Sequence, residues 1–202
     1  MKIECFVLGQ LQTNCYLVYD EISLEGVVID PADEGDFLSQ KILDLGIDLQ
    51  AIIATHGHFD HVLSVLELKL NFNIPFLMHK ADLSILSRMQ DSAKFFTGFE
   101  ADPPAEVDKF LKEDDIIKFG KAKLKVMETP GHTPGSICLF SKNILFSGDT
   151  LFCQGVGRTD FSYSSSEQLT SSIKNKLFTL PKETCVYSGH GESTTIAAEK
   201  LE

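Results

Sequence analysis

The chain has 202 residues, of which 43% are hydrophobic and 23% charged, and a formal net charge of −11. That length supports one substantial core or two small ones, with the composition of an ordinary globular protein. An acidic balance without any basic run argues against a nucleic-acid partner, and no apolar run is long enough to span a bilayer.

The amino-terminal stretch MKIECFVLGQLQTNCYLV carries Glu4 and Gln10 where a signal peptide needs an unbroken apolar region. It reads as a strand, a turn and a second strand, and a cytoplasmic location is the expectation. The five cysteines agree with a reducing compartment: they are odd in number, scattered and without a CxxC pair. Cys5, Cys15, Cys138 and Cys185 lie in apolar, strand-like contexts and are expected to be small buried hydrophobes; Cys153, close to FSGDTLF, is either an ordinary residue of its loop or one that lines a site.

Val27-Val28-Ile29 is a short strand closed by Asp30-Pro31, and Phe37 to Leu45 has helical spacing with a stop at Gly46. Ala51 to Ala54 is a buried strand that runs straight into Thr55-His56-Gly57-His58-Phe59-Asp60-His61. A helix is expected over Val62 to Leu70, a strand over Ile74 to Met78 and a helix over Ala81 to Met89. Residues 90–106 are the least regular stretch. Their phenylalanines, with Gly98 and Pro103-Pro104, read as a surface loop, either a plain connection or a lid. Strands follow at Ile116 to Phe119 and through the alternation Ala122, Leu124, Val126, then a hairpin of Ser136 to Phe140 with Asn143 to Phe146. Ser166 to Leu177 is the last clear helix and Thr184 to Tyr187 the last strand. With no repeat, low-complexity segment or linker, the expectation is one domain over residues 1–202. Its class is α/β (α+β), with layered sheets flanked by helices.

Half of the six histidines fall within residues 55–61. Imidazole and carboxylate are the usual ligands of zinc, iron and manganese. His56 and His58, two apart on an extended segment, can face one point, whereas Asp60 and His61 follow after the chain turns. The geometry hints at two adjacent positions. His132 in TPGHTPG, Asp149 in FSGDT and His190 in SGHG each follow a glycine in a loop at the end of a strand. Taken singly, His132 or His190 is an ordinary hydrogen-bonded loop residue and Asp149 a cap. Their joint occurrence behind THGHFDH points to metal binding. His79, in Met78-His79-Lys80, lacks this context and is expected to be structural.

THGHFDH, TPGHTPGS, FSGDTLF and SGHGEST, in that order, resemble the motifs of the metallo-β-lactamase-fold hydrolases. Asn14-Cys15-Tyr16-Leu17-Val18, Val28-Ile29-Asp30-Pro31 and Gly155-Val156-Gly157-Arg158-Thr159-Asp160-Phe161 extend the likeness to the glyoxalase II-like group. The resemblance implies a four-layer αββα sandwich with the metal site between the loop ends of two sheets. It implies two divalent ions, zinc first and iron or manganese as alternatives. One would take His56, His58 and His132, the other Asp60, His61 and His190, with Asp149 bridging and Asp30 orienting ligands.

The implied activity is hydrolysis of an acyl thioester of the hydroxyacylglutathione kind. A hydroxide shared by the two cations attacks the carbonyl, and Asp60 accepts its hydrogen bond. The chain departs from periplasmic β-lactamases, which carry Arg or Cys in the second site and a signal peptide, and from the flavodiiron branch through His58. It also ends soon after SGHGEST, without the C-terminal helical domain that contacts glutathione in typical glyoxalase II, so a different small-molecule thioester is open. Leu201-Glu202 reads as either a native tail or an expression scar, and monomer and homodimer are both open. The main alternative is a persulfide dioxygenase with a single Fe2+ on His56, His132 and Asp149. A lactonase and a metal-binding, non-catalytic regulator follow. Arg158 and Asp160 form either a structural ion pair beneath the site or a substrate contact.

Overall fold

The computed structural model describes residues 1–200; Leu201 and Glu202 lie outside the described residues. Six strands form the first sheet, in chain order: β1 (Lys2–Leu8), β2 (Thr13–Tyr19), β3 (Glu25–Ile29), β4 (Asp48–Ile53), β5 (Phe76–His79) and β6 (Lys109–Leu111). β1 to β3 are antiparallel, then β3 to β6 run parallel. The parallel half needs crossovers, and α1 (Gly35–Asp44), α2 (Val65–Phe72), α3 (Leu83–Leu86) and α4 (Met89–Thr97) lie in them. The second sheet comprises β7 (Ile116–Phe119), β8 (Ala122–Glu128), β9 (Ile137–Ser141), β10 (Ile144–Gly148), and, after a short ribbon of β11 (Leu151–Phe152) with β12 (Gly155–Val156), β13 (Cys185–Ser188) and β14 (Thr194–Thr195). Helix α5 (Ser166–Asn175) bridges β12 and β13, and α6 (Ile196–Glu199) follows β14.

Why two sheets stack is written in the strands' alternation. On β2, Cys15, Leu17 and Tyr19 enter one apolar cluster with α1 and α2 residues such as Leu38, Ile42 and Leu68. Tyr16 and Val18 enter a second, shared with Leu124 and Val126 of β8 and Phe146 of β10. On β9, Ile137 and Leu139 join that middle cluster while Cys138 joins a third, with Leu169 and Ile173 of α5. Period-2 side chains thus build three cores from two sheets, and the layers are helices, sheet, sheet, helices. The expected αββα sandwich is the observed one. Each fully buried Leu, Ile or Phe stabilises it by roughly 1.5–3 kcal/mol, and Phe76, Phe119 and Phe146 are among the largest such side chains. No described helix is long and apolar enough to cross a membrane.

Three expectations need correction. The helix expected over Ala81 to Met89 breaks at Ser87–Arg88, and α4 takes up part of the stretch read as a loop. Met89, Ala93 and Phe96 stand at helical spacing on it, with Phe96 stacked on Phe59, although Gly98 and Pro103-Pro104 read as a loop. Cys5 and Cys185 are exposed with Cys153; only Cys15 and Cys138 are buried. β13 is not the last strand, since β14 pairs with it antiparallel.

Candidate metal centre

Strand direction gathers the site. β3 and β4 are parallel, β10 and β13 are parallel, and β8 runs with β10 because both are antiparallel to β9. The loops that follow these five strands carry Asp30, residues 55–61, His132, Asp149 and His190, and all open on one edge of the sandwich. The two sheets are tied there: Ile137 N donates to the Thr55 carbonyl at 2.9 Å and Asn14 N to the Gly189 carbonyl at 2.7 Å.

The seven candidate ligands converge in two groups. His56 Nε2 and His132 Nε2 each lie 3.0 Å from His58 Nδ1. Beside them, Asp60 Oδ2 lies 3.5 Å from His61 Nε2 and 3.3 Å from His190 Nε2. Asp149 stands between: Oδ1 is 3.5 Å from His61 Nε2, and Oδ2 is 3.6 Å from His132 Nε2 and 3.7 Å from His190 Nε2. Ligand atoms of His56, His58 and His132, of Asp60, His61 and His190, and of His56, His61 and Asp149 each lie within 4.8 Å of one another. Packing there is tight enough to require glycine at 189, where a Cβ would collide with Asp149 Oδ1 and stand 2.8 Å from His61 Cε1.

Each imidazole is held by its outer nitrogen. His61 Nδ1 donates to Asp30 Oδ2 at 3.0 Å, His132 Nδ1 to the Arg158 carbonyl at 2.9 Å and His190 Nδ1 to the Leu11 carbonyl at 3.1 Å. His56 Nδ1 donates to Thr55 Oγ1 at 3.1 Å, whose hydroxyl donates to Asp30 Oδ2 at 2.7 Å. His58 presents the opposite edge, with Nε2 donating to the Tyr163 hydroxyl at 2.8 Å. These bonds leave the inner nitrogens as lone pairs aimed at the centre, the tautomers a metal requires. Asp30, at φ 51° and 1% exposed, orients two of the five histidines.

Among the described residues three buried side-chain atoms have no hydrogen-bond partner: Thr184 Oγ1 and, 3.5 Å apart in the centre, His61 Nε2 and Asp149 Oδ1. A buried acceptor left unpaired is costly, and a cation between the latter two satisfies both. Electrostatics point the same way. Burial and the neighbouring histidines keep His56 well below the usual imidazole range, and burial with His132 pushes His58 down to about 3. His56 and His58 are therefore neutral and ready to ligate. Burial opposes charge on His61, but Asp60, Asp149 and Asp30 outweigh it and raise it to about 10. Burial likewise works against ionisation of Asp60, yet His61 and His190 hold its carboxyl below the ordinary range. The carboxylates thus favour positive charge at this place. Three carboxylate and imidazole clusters in contact fit two adjacent divalent cations.

Several residues that shape the centre carry no signal in the motifs. Asp82 is fully buried and fastens both metal loops: it accepts from Gly57 N (2.8 Å), Thr133 Oγ1 (2.7 Å) and Gly135 N (2.6 Å). Thr13 Oγ1 donates to Asp60 Oδ2 at 3.0 Å. Arg158 and Asp160 do pair, Nε to Oδ1 at 2.7 Å and Nη2 to Oδ2 at 2.6 Å, but on the exposed rim rather than beneath the site. That pairing pulls the Asp160 carboxyl down to about 2. His79 joins no cluster; it pairs with Glu128 at 3.2 Å. Cys153 sits in the turn between β11 and β12 and does not line the cleft.

Above the centre opens a cleft of about 990 Å³. His58, Asp60, His132, Asp149 and His190 form its floor, and Phe59, Phe95, Phe96, Phe152, Phe161 and Tyr163 its walls. A two-sheet sandwich with paired imidazole–carboxylate clusters under an aromatic cleft is the architecture of a metal-dependent hydrolase. Residues 8–190 match the metallo-beta-lactamase superfamily, and the chain belongs to it. The chain is 34% identical over 203 residues to the hydroxyacylglutathione hydrolase GloC of Haemophilus influenzae, covering 99% of this chain and 95% of that protein. The crystal structure of TTHA1623 in a di-iron-bound form superposes with a TM-score of 0.88 at 35% identity, over 97% of this chain and 96% of that one. That of the BLEG-1 B3 metallo-beta-lactamase superposes with a TM-score of 0.90 at 34% identity, over 98% and 96%. Overall likeness therefore does not separate thioester from β-lactam chemistry.

Proposed function

We propose that the protein hydrolyses a small-molecule acyl thioester, of the hydroxyacylglutathione kind, with two divalent ions, zinc first among them. The observation that carries this reading is the pair of donor clusters joined through Asp149 at the floor of the cleft. The full-length likeness to GloC supports the substrate class. When bound, such ions polarise a carbonyl and acidify a water enough for it to lose its proton near neutral pH.

The chain's own residues do the rest. His56, His58 and His132 would hold one ion, Asp60, His61 and His190 the other, and Asp149 both. Asp60, kept ionised by His61 and His190 and fixed by Thr13, accepts a hydrogen bond from the attacking water but is not its acid. Phe59, Phe96 and Phe161 enclose the floor and limit bulk water. A reducing compartment such as the cytoplasm fits the free state of all five cysteines.

The test is metal quantification followed by turnover of lactoylglutathione. About two ions per chain with thioester hydrolysis supports the reading. A second reading, β-lactam hydrolysis, is favoured by the BLEG-1 likeness, and a chromogenic cephalosporin cleaved in preference to the thioester would replace the first. Oxygen uptake with glutathione persulfide on one iron per chain would support the dioxygenase instead, and would leave Asp60, His61 and His190 without a role.

A further inference from the structure

The chain contains only two arginines, Arg88 and Arg158, and 16 lysines by difference from 18 basic residues. Both arginines line the cleft over the metal centre, and no lysine does. In a protein of net charge −11, the arginines are thus confined to this cleft.

The two are not equivalent. Arg158 has both edges of its guanidinium fork on Asp160 and its face 4.5 Å from the Phe161 ring centroid. Arg88, the residue immediately before α4, is exposed and in no ion pair among the described residues. The carboxylates that line the cleft, Asp60 and Asp149, belong to the donor clusters. One cation with a free fork therefore faces the cleft. One turn and two turns beyond Arg88, α4 presents Ser92 and then Phe95 and Phe96 to the same space. Phe95 is 82% exposed, and Phe96, stacked on Phe59, is 53% exposed.

We infer that Arg88 with Phe95 and Phe96 forms the specificity subsite of the cleft, and that Arg88 pairs with a carboxylate on the thiol part of the thioester substrate. The inference rests on the thioester reading above. A planar fork matches a carboxylate through two parallel hydrogen bonds. Only one such fork is free, so a multiply phosphorylated carrier such as coenzyme A leaves most of its charge unmatched.

The experiment compares lactoylglutathione with the neutral thioester lactoyl-N-acetylcysteamine on the metal-loaded wild type, Arg88→Gln and Arg88→Lys. The preference for the anionic substrate, as a ratio of kcat/KM, should fall about tenfold or more in Arg88→Gln, mainly through KM, and recover in part in Arg88→Lys. Binding of the non-hydrolysable S-hexylglutathione, followed by calorimetry, should weaken by a similar factor. An unchanged preference in Arg88→Gln, or a coenzyme A thioester preferred to the glutathione one, overturns the subsite while leaving thioester hydrolysis standing. If neither thioester is turned over but S-hexylglutathione binds in an Arg88-dependent way, the thioester reading falls and the subsite stands; with neither turnover nor binding, both fall.

Discussion

Asp149 is the one side chain whose two oxygens address both donor groups, and it arrives there on a glycine at φ 48° that ends β10. Asp149→Ala should lower metal content from about two ions per chain toward one and cut thioester turnover on the order of 100-fold or more. Elemental analysis beside the assay checks it; full metal content with full activity would refute the shared-ligand scheme. Asp82 acts at a remove. Its carboxyl is pushed up by burial against three hydrogen bonds, from Thr133, Gly57 and Gly135, that pin the loops of His56, His58 and His132. Asp82→Ala strands those buried donors and should cost about 2–4 kcal/mol, a fall in Tm of roughly 2–4 °C for each kcal/mol. Asp82→Asn, which keeps one acceptor, should lose less. Residues like His132 and Asp149 were legible because each follows glycine at the end of an apolar strand. Asp82 was not, since its partners lie 25 and 53 positions away and the local sequence shows only an ordinary helix start.

At the scale of elements, strand alternation reads both the layers and the cysteines. Cys138 points inward on β9 against Leu145 and Leu169, and burial pushes its thiol up to about 11; Cys15, inward on β2, is raised further. Cys5, Cys153 and Cys185 are exposed. Alkylation of the native protein at pH 8, read by mass spectrometry, should therefore modify three thiols, and all five after denaturation. Native labelling of Cys138 would mean that the second sheet opens. Composition alone had placed Cys5 and Cys185 inside, because an apolar strand context does not say which face a residue takes. Helix α4 was missed for a different reason. Met89, Ala93 and Phe96 do form a helical stripe, but Gly98 and Pro103-Pro104, which follow it, make the whole stretch read as a loop. Phe95→Ser should leave stability within about 0.5 kcal/mol, as for other surface changes. It should raise KM several-fold for substrates with an apolar thiol or acyl segment, a split that steady-state kinetics on S-acyl chains of graded length will show.

For the whole molecule, the metal centre is a seam. His56, His58, Asp60 and His61 hang from the first sheet, and His132, Asp149 and His190 from the second. The middle core, with Phe119, Leu124 and Phe146, brings the sheets together, and at the open edge hydrogen bonds link them: Asn14 to Gly189, Ser188 and Gly191, Tyr16 to Ser188, Ile137 to Thr55, and Asp82 to Thr133 and Gly135. Ions held across that edge would bind the folded chain and not the unfolded one, and would stabilise it by mass action. At a free metal concentration 1,000-fold above Kd, that amounts to about 4 kcal/mol for one site. Stripping the metal should therefore lower Tm by roughly 8–16 °C, taking about 2–4 °C for each kcal/mol at this size. The loss should be reversed by added zinc, and Asp149→Ala should start lower and lose less. Apo and loaded protein melting together, with metal loss verified, would mean that the sheets hold the seven side chains in place without help, and the centre would then be preformed by the fold alone.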